Sequence, residues 1–299
     1  MSFYVTTPIY YVNSTPHIGH AYTTIAADIL VRHLRQRGEE TFFLTGTDEH
    51  GSNIPRIAEA EGLDLQEFVD RNAAAFQEMT LRVNASNDFF VRTTDERHKA
   101  RVQEFLQRIY DRGDIFESVY AGLYCPRCEA FYTEDELVDG LCPQHGITPE
   151  FVEEKNYFFR LSAYQEPLLR LYDERPEIVL PRFRYNEARS FIERGLDDIS
   201  VSRASQHWGV PVPWDTDQVV YVWVDALTTY MTGVGYPAQD GDFARYWPAD
   251  VHLIGKDIVR FHTVYWPAFL MSAGIELPRR VFVHGFVLNR GEKMSKSVG

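Results

Sequence analysis

Three cysteines and one histidine carry the clearest chemical signal in this chain. Cys125-Pro126-Arg127-Cys128 and Cys142-Pro143-Gln144-His145 form a C-x2-C-x13-C-x2-H pattern, in which each half can turn as a tight knuckle around one tetrahedral ion. Three thiolates and one imidazole fill all four positions of Zn2+ and leave none for water, which marks such a metal as structural. Three unliganded cysteines beside an incidental histidine is the competing reading, and the paired spacing weighs against it. The cysteine number is odd and all three lie between 125 and 142, unlike the disulfide framework of a secreted domain.

Two further stretches have the makings of a phosphate site. His17-Ile18-Gly19-His20 sits at the start of a helical pattern: Ser14 or Thr15 suits the N-cap, Pro16 the first helical position, and Ile18, Ile25, Ile29 and Leu30 a buried face. A helix start presents unpaired backbone N–H groups and the positive end of a dipole, Gly19 has no side chain to hold a nucleotide away, and His17 and His20 fall on one face as donors to phosphate oxygens. Far downstream, Lys293-Met294-Ser295-Lys296-Ser297 follows an apolar run and is flanked by Gly291 and Gly299, as suits a basic loop. Alone, a His-x-x-His pair is as readily a chance surface feature or metal pair, and a lysine-rich pentapeptide is usually a solvated loop. The two occurring together, each at a strand end, point to one site.

The elements that must position these groups read as strands alternating with helical patterns. Apolar runs span Phe3 to Thr7, Thr41 to Leu44, Val219 to Val224, Val251 to Ile254 and Val281 to Leu288. Alternation of this kind predicts a parallel sheet covered by helices, an α/β fold. The pattern breaks between about Ile115 and Arg203, where the cysteines and proline-bearing turns sit, so a domain is inserted into the sheet domain. In an open α/β sheet ligands bind at the carboxyl ends of the strands. There lie Ile9-Tyr10-Tyr11, Asp48 in Gly46-Thr47-Asp48-Glu49-His50-Gly51, Trp223-Val224-Asp225-Ala226 and Gly255-Lys256-Asp257. A carboxylate such as Asp48 offers an ion partner to an ammonium group, and aromatic rings suit a polarizable apolar side chain. Trp223 and Tyr230 lie seven apart, a spacing equally natural for two core aromatics.

The pairing of His17-Ile18-Gly19-His20 with Lys293-Met294-Ser295-Lys296-Ser297 resembles the two signature motifs of class I aminoacyl-tRNA synthetases. Thr6 to Asn13, Gly46 to Gly51, Tyr221 to Ala226 and Gly255 to Asp257 are similar to motifs of the methionyl family, and the resemblance covers essentially the whole chain. It implies a Rossmann-like parallel sheet formed by residues 1–115 and 206–299, with a zinc-binding connective domain inserted at 116–205. It also implies that an amino-acid carboxylate attacks the α-phosphorus of ATP, with Mg2+ present, to give an aminoacyl-adenylate and pyrophosphate. No covalent enzyme intermediate is needed, so positioning and charge stabilisation do the work. Carried over by position, the catalytic groups are His17, His20, Lys293 and Lys296, with Lys296 on the pyrophosphate side. The ATP site adds Gly19, Gly255, Lys256 and Asp257, and Arg203 looks like an ATP-contacting residue. Asp48 binds the substrate ammonium, and Ile9, Tyr11, Trp223, Ala226, Leu227, Tyr230 and His262 line the side-chain pocket. Leu227 stands where some relatives have proline, and His252 has no match. The metal ligands are Cys125, Cys128, Cys142 and His145. The partners are methionine, ATP and, in the full-length protein, tRNA(Met).

Several alternatives lose ground. His20 and Lys293 have 272 residues between them, too few for the large editing domain of the leucine, isoleucine and valine enzymes. The cysteine enzyme also uses zinc, but with an open position in its substrate pocket. A zinc-knuckle RNA-binding module that is not an enzyme fits poorly with a formal net charge of −13, which repels polyanions and confines any RNA contact to a local patch. No stretch of about 18 apolar residues occurs and the chain opens with Phe3-Tyr4-Val5, so a soluble, cytoplasmic protein with no membrane partner is expected, monomeric in this form. The sequence stops at Gly299, directly after the lysine loop. The resemblance then implies that the anticodon-reading helical domain is absent, with adenylate formation impaired and tRNA charging weak or lost.

Overall fold

A computed structural model describes residues 2–238 and 240–289, and residues 292–293 as backbone. The chain forms β1 (Ser2–Tyr11), α1 (Ile18–Gln36), β2 (Glu40–Asp48), α2 (Asn53–Glu61), α3 (Leu65–Arg82), β3 (Phe89–Arg92) and α4 (Glu96–Asp111). It continues with β4 (Ile115–Cys125), β5 (Ala130–Tyr132), β6 (Glu150–Phe159), α5 (Gln165–Glu174), β7 (Val179–Leu180), α6 (Arg182–Glu193), β8 (Ile199–Ser200) and β9 (Ser202–Arg203). The last part comprises β10 (Pro211–Val212), β11 (Asp215–Val220), α7 (Val222–Thr232), α8 (Gly241–Tyr246), β12 (Val251–Gly255), α9 (Trp266–Ala273), β13 (Val281–His284), β14 (Leu288–Asn289) and β15 (Glu292–Lys293).

The main sheet has six strands in the order β3-β2-β1-β12-β13-β7, every neighbouring pair parallel. Strands covered on both faces need apolar residues without alternation, and the buried run Tyr4-Val5-Thr6-Thr7 in β1 meets that need. Its pairing with β2 is interrupted between Thr6 and Ile9, around Pro8, which has no N–H to give the ladder, and resumes to bring Tyr11 beside Asp48. Chain order reverses between β1 and β12, so the crevice expected of a doubly wound sheet opens above these two strands. A second sheet, β5-β4-β6-β8, is antiparallel and carries the cysteines at its edge.

The strand expected at Val219 to Val224 divides. Its first part belongs to β11, antiparallel to β9 and β10 in a separate small sheet, and its second part begins α7. Every residue of α7 except Trp223 and the terminal Thr232 is buried, and a helix hydrophobic on all sides has a strand-like sequence. Two strands of the main sheet escape the apolar pattern: β3, four residues at the sheet edge, and β7, two residues. β7 lies within the stretch 116–205 and yet pairs with β13, so that stretch also contributes to the main sheet.

At Gly46 in β2 the neighbouring strand leaves no room for a side chain. A β-carbon there would lie 2.1 Å from the Val91 carbonyl oxygen of β3. Gly46→Ala is expected to push the two strands apart and lower stability by about 1–3 kcal/mol, the usual cost of overpacking. Thermal unfolding of the variant beside the parent chain measures it.

Candidate active site

Above the crevice lies a cleft of about 640 Å3. Ile9, Tyr11, His17, Gly19, His20, Asp48, Trp223, Ala226, Leu227, Tyr230, Gly255, Asp257 and His262 all face it, so residues up to 253 positions apart share one cavity. Lys256 does not line it; its ammonium sits at 4.3 Å over the ring of Phe286, which does. Lys293 is described only as backbone, paired with Leu288 across β14 and β15, and Lys296 lies outside the described residues.

The start of α1 differs from its expected form in a chemically useful way. The N-cap is His17, not Ser14 or Thr15, and Pro16 falls before the helix. Extended backbone at His17 lets its Nδ1 accept from the Gly19 N–H at 3.1 Å, while His20 Nδ1 accepts from the His17 N–H at 3.2 Å. The two rings stack with centroids 3.7 Å apart. A ring nitrogen that accepts carries no proton, so each imidazole bears its N–H on Nε2. Gly19 also makes room within the helix, since a β-carbon there would meet the His17 ring at 2.9 Å.

The helix face expected to be buried is also corrected. Ile18, Ile25 and Ile29 are exposed, with Tyr22 beside them, and the sheet is met by Thr23, Thr24, Ala27, Asp28 and Val31. Small and hydrogen-bonding side chains allow close packing: Thr24 Oγ1 pairs with the Tyr10 hydroxyl at 2.7 Å, and Asp28 accepts from the Ser86 N–H at 2.7 Å.

One end of the cleft is aromatic and uncharged. Trp223 stacks on Phe261 at 3.7 Å, nearly parallel. His262 comes from a π-helical turn, Phe261–Tyr265, a rare geometry that reaims side chains and is common at functional sites. Burial pushes its pKa down to about 4, so the ring is neutral near pH 7. Its Nδ1 faces the Ile258 carbonyl at 3.0 Å and must be the donor, which leaves Nε2 to accept from the Tyr230 hydroxyl at 2.7 Å. Beneath Tyr230, His252 pairs with Thr6 at 2.7 Å and is held well below the ordinary imidazole range by burial, then by His262.

Asp48 supplies the acidic group. Burial, and then the charge of Asp225, raise its pKa well above the usual carboxylate range. The one described hydrogen bond to its carboxylate is a long contact of 3.4 Å from the His50 N–H. By contrast Glu49, buried beneath it, is held by both arms of Arg92 at 2.7 and 2.9 Å. A carboxylate left so poorly matched is suited to a cation from outside.

The four knuckle residues converge, with donor atoms within 4.8 Å of one another. Cys128 and Cys142 Sγ are 3.8 Å apart, and His145 Nδ1 is 4.0 and 3.9 Å from the sulfurs of Cys125 and Cys142. A tetrahedron with zinc–sulfur bonds of about 2.3 Å has edges of roughly 3.8 Å, so the set fits a metal ion of that kind. The Tyr132 hydroxyl lies 3.3 and 3.6 Å from two of the sulfurs. Cys128 and His145 also line the cleft, placing the knuckle on its wall.

Several groups of the site had no legible signal. Glu129 follows a metal-pattern cysteine, and its carboxylate takes the Ser52 N–H at 2.6 Å, the Ser52 hydroxyl at 2.8 Å and the Tyr11 hydroxyl at 3.2 Å. It ties the knuckle to the Tyr11 wall of the cleft. Gln144 adds a second tie, donating to the Asp257 carbonyl at 3.3 Å. His284 meets Thr23 of α1 at 2.8 Å, and was hidden in a run read as strand to Leu288 although β13 ends at His284. Arg203 faces elsewhere: it pairs with Glu154 at 2.8 Å, lies over the Tyr124 ring at 4.1 Å and lines a second pocket with Arg56 and Trp208.

A six-stranded parallel sheet whose switch point gathers an imidazole-capped helix start, an acidic group and a third strand-end turn is the nucleotide-handling framework of a class I aminoacyl-tRNA synthetase. The family model for tRNA synthetases class I (M) matches residues 3–148 and 144–299, and the chain belongs to that family. It is 56 % identical to the methionine–tRNA ligase of Mesorhizobium japonicum over 99 % of this chain and 58 % of that protein. It is 50 % identical to the ligase of Thermotoga maritima over 100 % of this chain and 48 % of that protein. The structure matches Mycobacterium tuberculosis methionyl-tRNA synthetase in complex with methionyl-adenylate, with a TM-score of 0.96 and 53 % identity, covering 99 % of this chain and 59 % of that one. The free-state M. tuberculosis enzyme matches with a TM-score of 0.82 and 50 % identity, covering 95 % of this chain and 56 % of that one. The chain therefore spans roughly half to three-fifths of the length of these relatives.

Proposed function

We propose that the protein to which this chain belongs joins methionine to AMP from ATP and passes the methionyl group to tRNA(Met). The observation that carries this reading is the shared cleft: neutral aromatic side chains, an under-bonded carboxylate and the start of α1 all line one cavity. The thioether packs against Trp223 and Tyr230, beside Ile9, Tyr11, Ala226, Leu227 and His262. Sulfur–aromatic contacts are worth about 0.3–1.5 kcal/mol each, and an uncharged floor disfavours polar side chains. Asp48 takes the ammonium. The Nε2–H groups of His17 and His20 donate to ATP phosphates near Gly19, Gly255 and Asp257, where Mg2+ accompanies the nucleotide. Lys293 and Lys296 stabilise the charge that grows on the pyrophosphate.

The metal held by Cys125, Cys128, Cys142 and His145 is proposed to be structural zinc, since the protein donors fill its coordination shell. It fixes the loop that presents Glu129 to Tyr11 and Ser52. No helix among the described residues is long and apolar enough to cross a membrane.

Three outcomes are expected. Trp223→Ala should raise the methionine KM in ATP–pyrophosphate exchange by more than tenfold while ATP affinity stays nearly intact; equal losses for both ligands would mean that Trp223 is misassigned. Methionine affinity should rise with pH through the elevated pKa of Asp48, because the ammonium favours the ionised carboxylate and binding expels its proton, until the amino group itself deprotonates. Calorimetry across pH checks this, and Asp48→Asn should bind weakly with a flat profile. Elemental analysis should find about one zinc per chain, and stripping it should weaken methionine binding through loss of the Glu129 contacts.

A further inference from the structure

α7 is a buried helix with one acid in its interior, Asp225, only 1 % exposed. Leaving a carboxylate there is unfavourable unless both oxygens are bonded. They are: Oδ2 meets His50 Nδ1 at 2.6 Å, and Oδ1 meets His98 Nε2 at 2.7 Å. Each partner comes from a different element. His50 lies two residues beyond Asp48 and gives its backbone N–H to that carboxylate. His98 is on α4 and reaches Thr232, the last residue of α7, through its other nitrogen at 3.1 Å. On α7 itself, Asp225 lies between Trp223 and Ala226, which face the cleft.

We infer that Asp225 is a positioning residue for the amino-acid site, clamping the turn that bears Asp48 to the helix that bears Trp223 and Tyr230; this rests on the reading of that cleft end as the methionine pocket. An amino acid is gripped at two points, its ammonium and its side chain. Those points are supplied here by separate elements, β2 and α7. The Asp225–His50 bond is a direct polar link between them, and the His98 bond braces the helix from behind. A hydrogen bond of 2.6 Å across the two, with a second of 2.7 Å holding the same carboxylate to α4, fixes a separation far more sharply than apolar packing, which tolerates sliding. The carboxylate also places a negative charge close enough to Asp48 to raise that group's proton affinity, so it strengthens the field an ammonium meets. Burial alone would raise the pKa of Asp225, but the two histidines bring it down to about 2, and it stays ionised at working pH.

ATP has no part in this clamp, which gives the test its selectivity. Methionine and ATP binding are each measured by calorimetry, alongside thermal unfolding, for the parent chain and four variants. Asp225→Asn keeps the shape but turns one acceptor into a donor facing a histidine. It should weaken methionine binding by at least roughly tenfold and change ATP binding by less than about twofold. His50→Ala should behave in the same way, and His50→Asn, whose amide can occupy the place of Nδ1, should recover most of the affinity. Val102→Ala, in the apolar core of α4, should lower thermal stability without a selective loss of methionine affinity. Should Asp225→Asn fail to fold, the two His50 variants decide the matter alone. Methionine affinity unchanged in Asp225→Asn and His50→Ala, or lost in step with ATP affinity, overturns the inference. The same selective loss in Val102→Ala overturns it too. A parent chain that binds ATP but not methionine removes the functional reading itself, and this inference with it.

Discussion

The site depends on the position of β1, which pairs in parallel with β2 on one side and β12 on the other. The chain leaves the two sides of this strand in opposite directions, so the covering segments part above it and leave room for a ligand. Four strand ends then supply the cleft: Tyr11 and Asp48 are register partners at the ends of β1 and β2, and Gly255 and His284 are partners at the ends of β12 and β13. Because these pairings are backbone hydrogen bonds in a buried sheet, the groups they carry are held without reliance on loops.

Around this frame the molecule buries several carboxylates, and their partners differ. Glu49 is closed off by Arg92, Glu129 by Ser52 and Tyr11, and Asp225 by His50 and His98. Each of these joins segments distant in sequence, Glu129 through three bonds to its Oε1. Asp48 faces the cleft with one long backbone contact. Desolvation that would be a liability in an isolated acid becomes affinity when a cation arrives to share the site.

The sequence was most legible where one residue type has one plausible use. The cysteine–histidine set was readable from spacing, and the structure brings its donor atoms together. β1, β2 and β12 were visible as apolar runs because central parallel strands have few exposed positions to interrupt them, and β13 because its exposed residue, Phe282, is itself apolar. The same rule misled at α7, a helix apolar on every side, where Val219 to Val224 looked like another strand. It also misled at α1: Ile18, Ile25 and Ile29 do lie along one helix face, but the close-packed sheet takes the small residues opposite. Periodicity locates a stripe without saying which stripe is covered. Glu129, Asp225 and the π-helical turn at His262 were beyond reach for a different reason, since their roles arise from partners in remote segments.

His17 and His20 terminate the α1 backbone with Nδ1 and carry their hydrogens on Nε2, so one ring both finishes the helix and presents a donor. Such double duty narrows what else can stand there. A lysine or arginine brings charge to a phosphate but no acceptor to close the helix, whereas an asparagine has a carbonyl for the one task and an amide for the other. Variation among related chains at these two positions should therefore run toward asparagine and away from the basic residues that charge alone would favour.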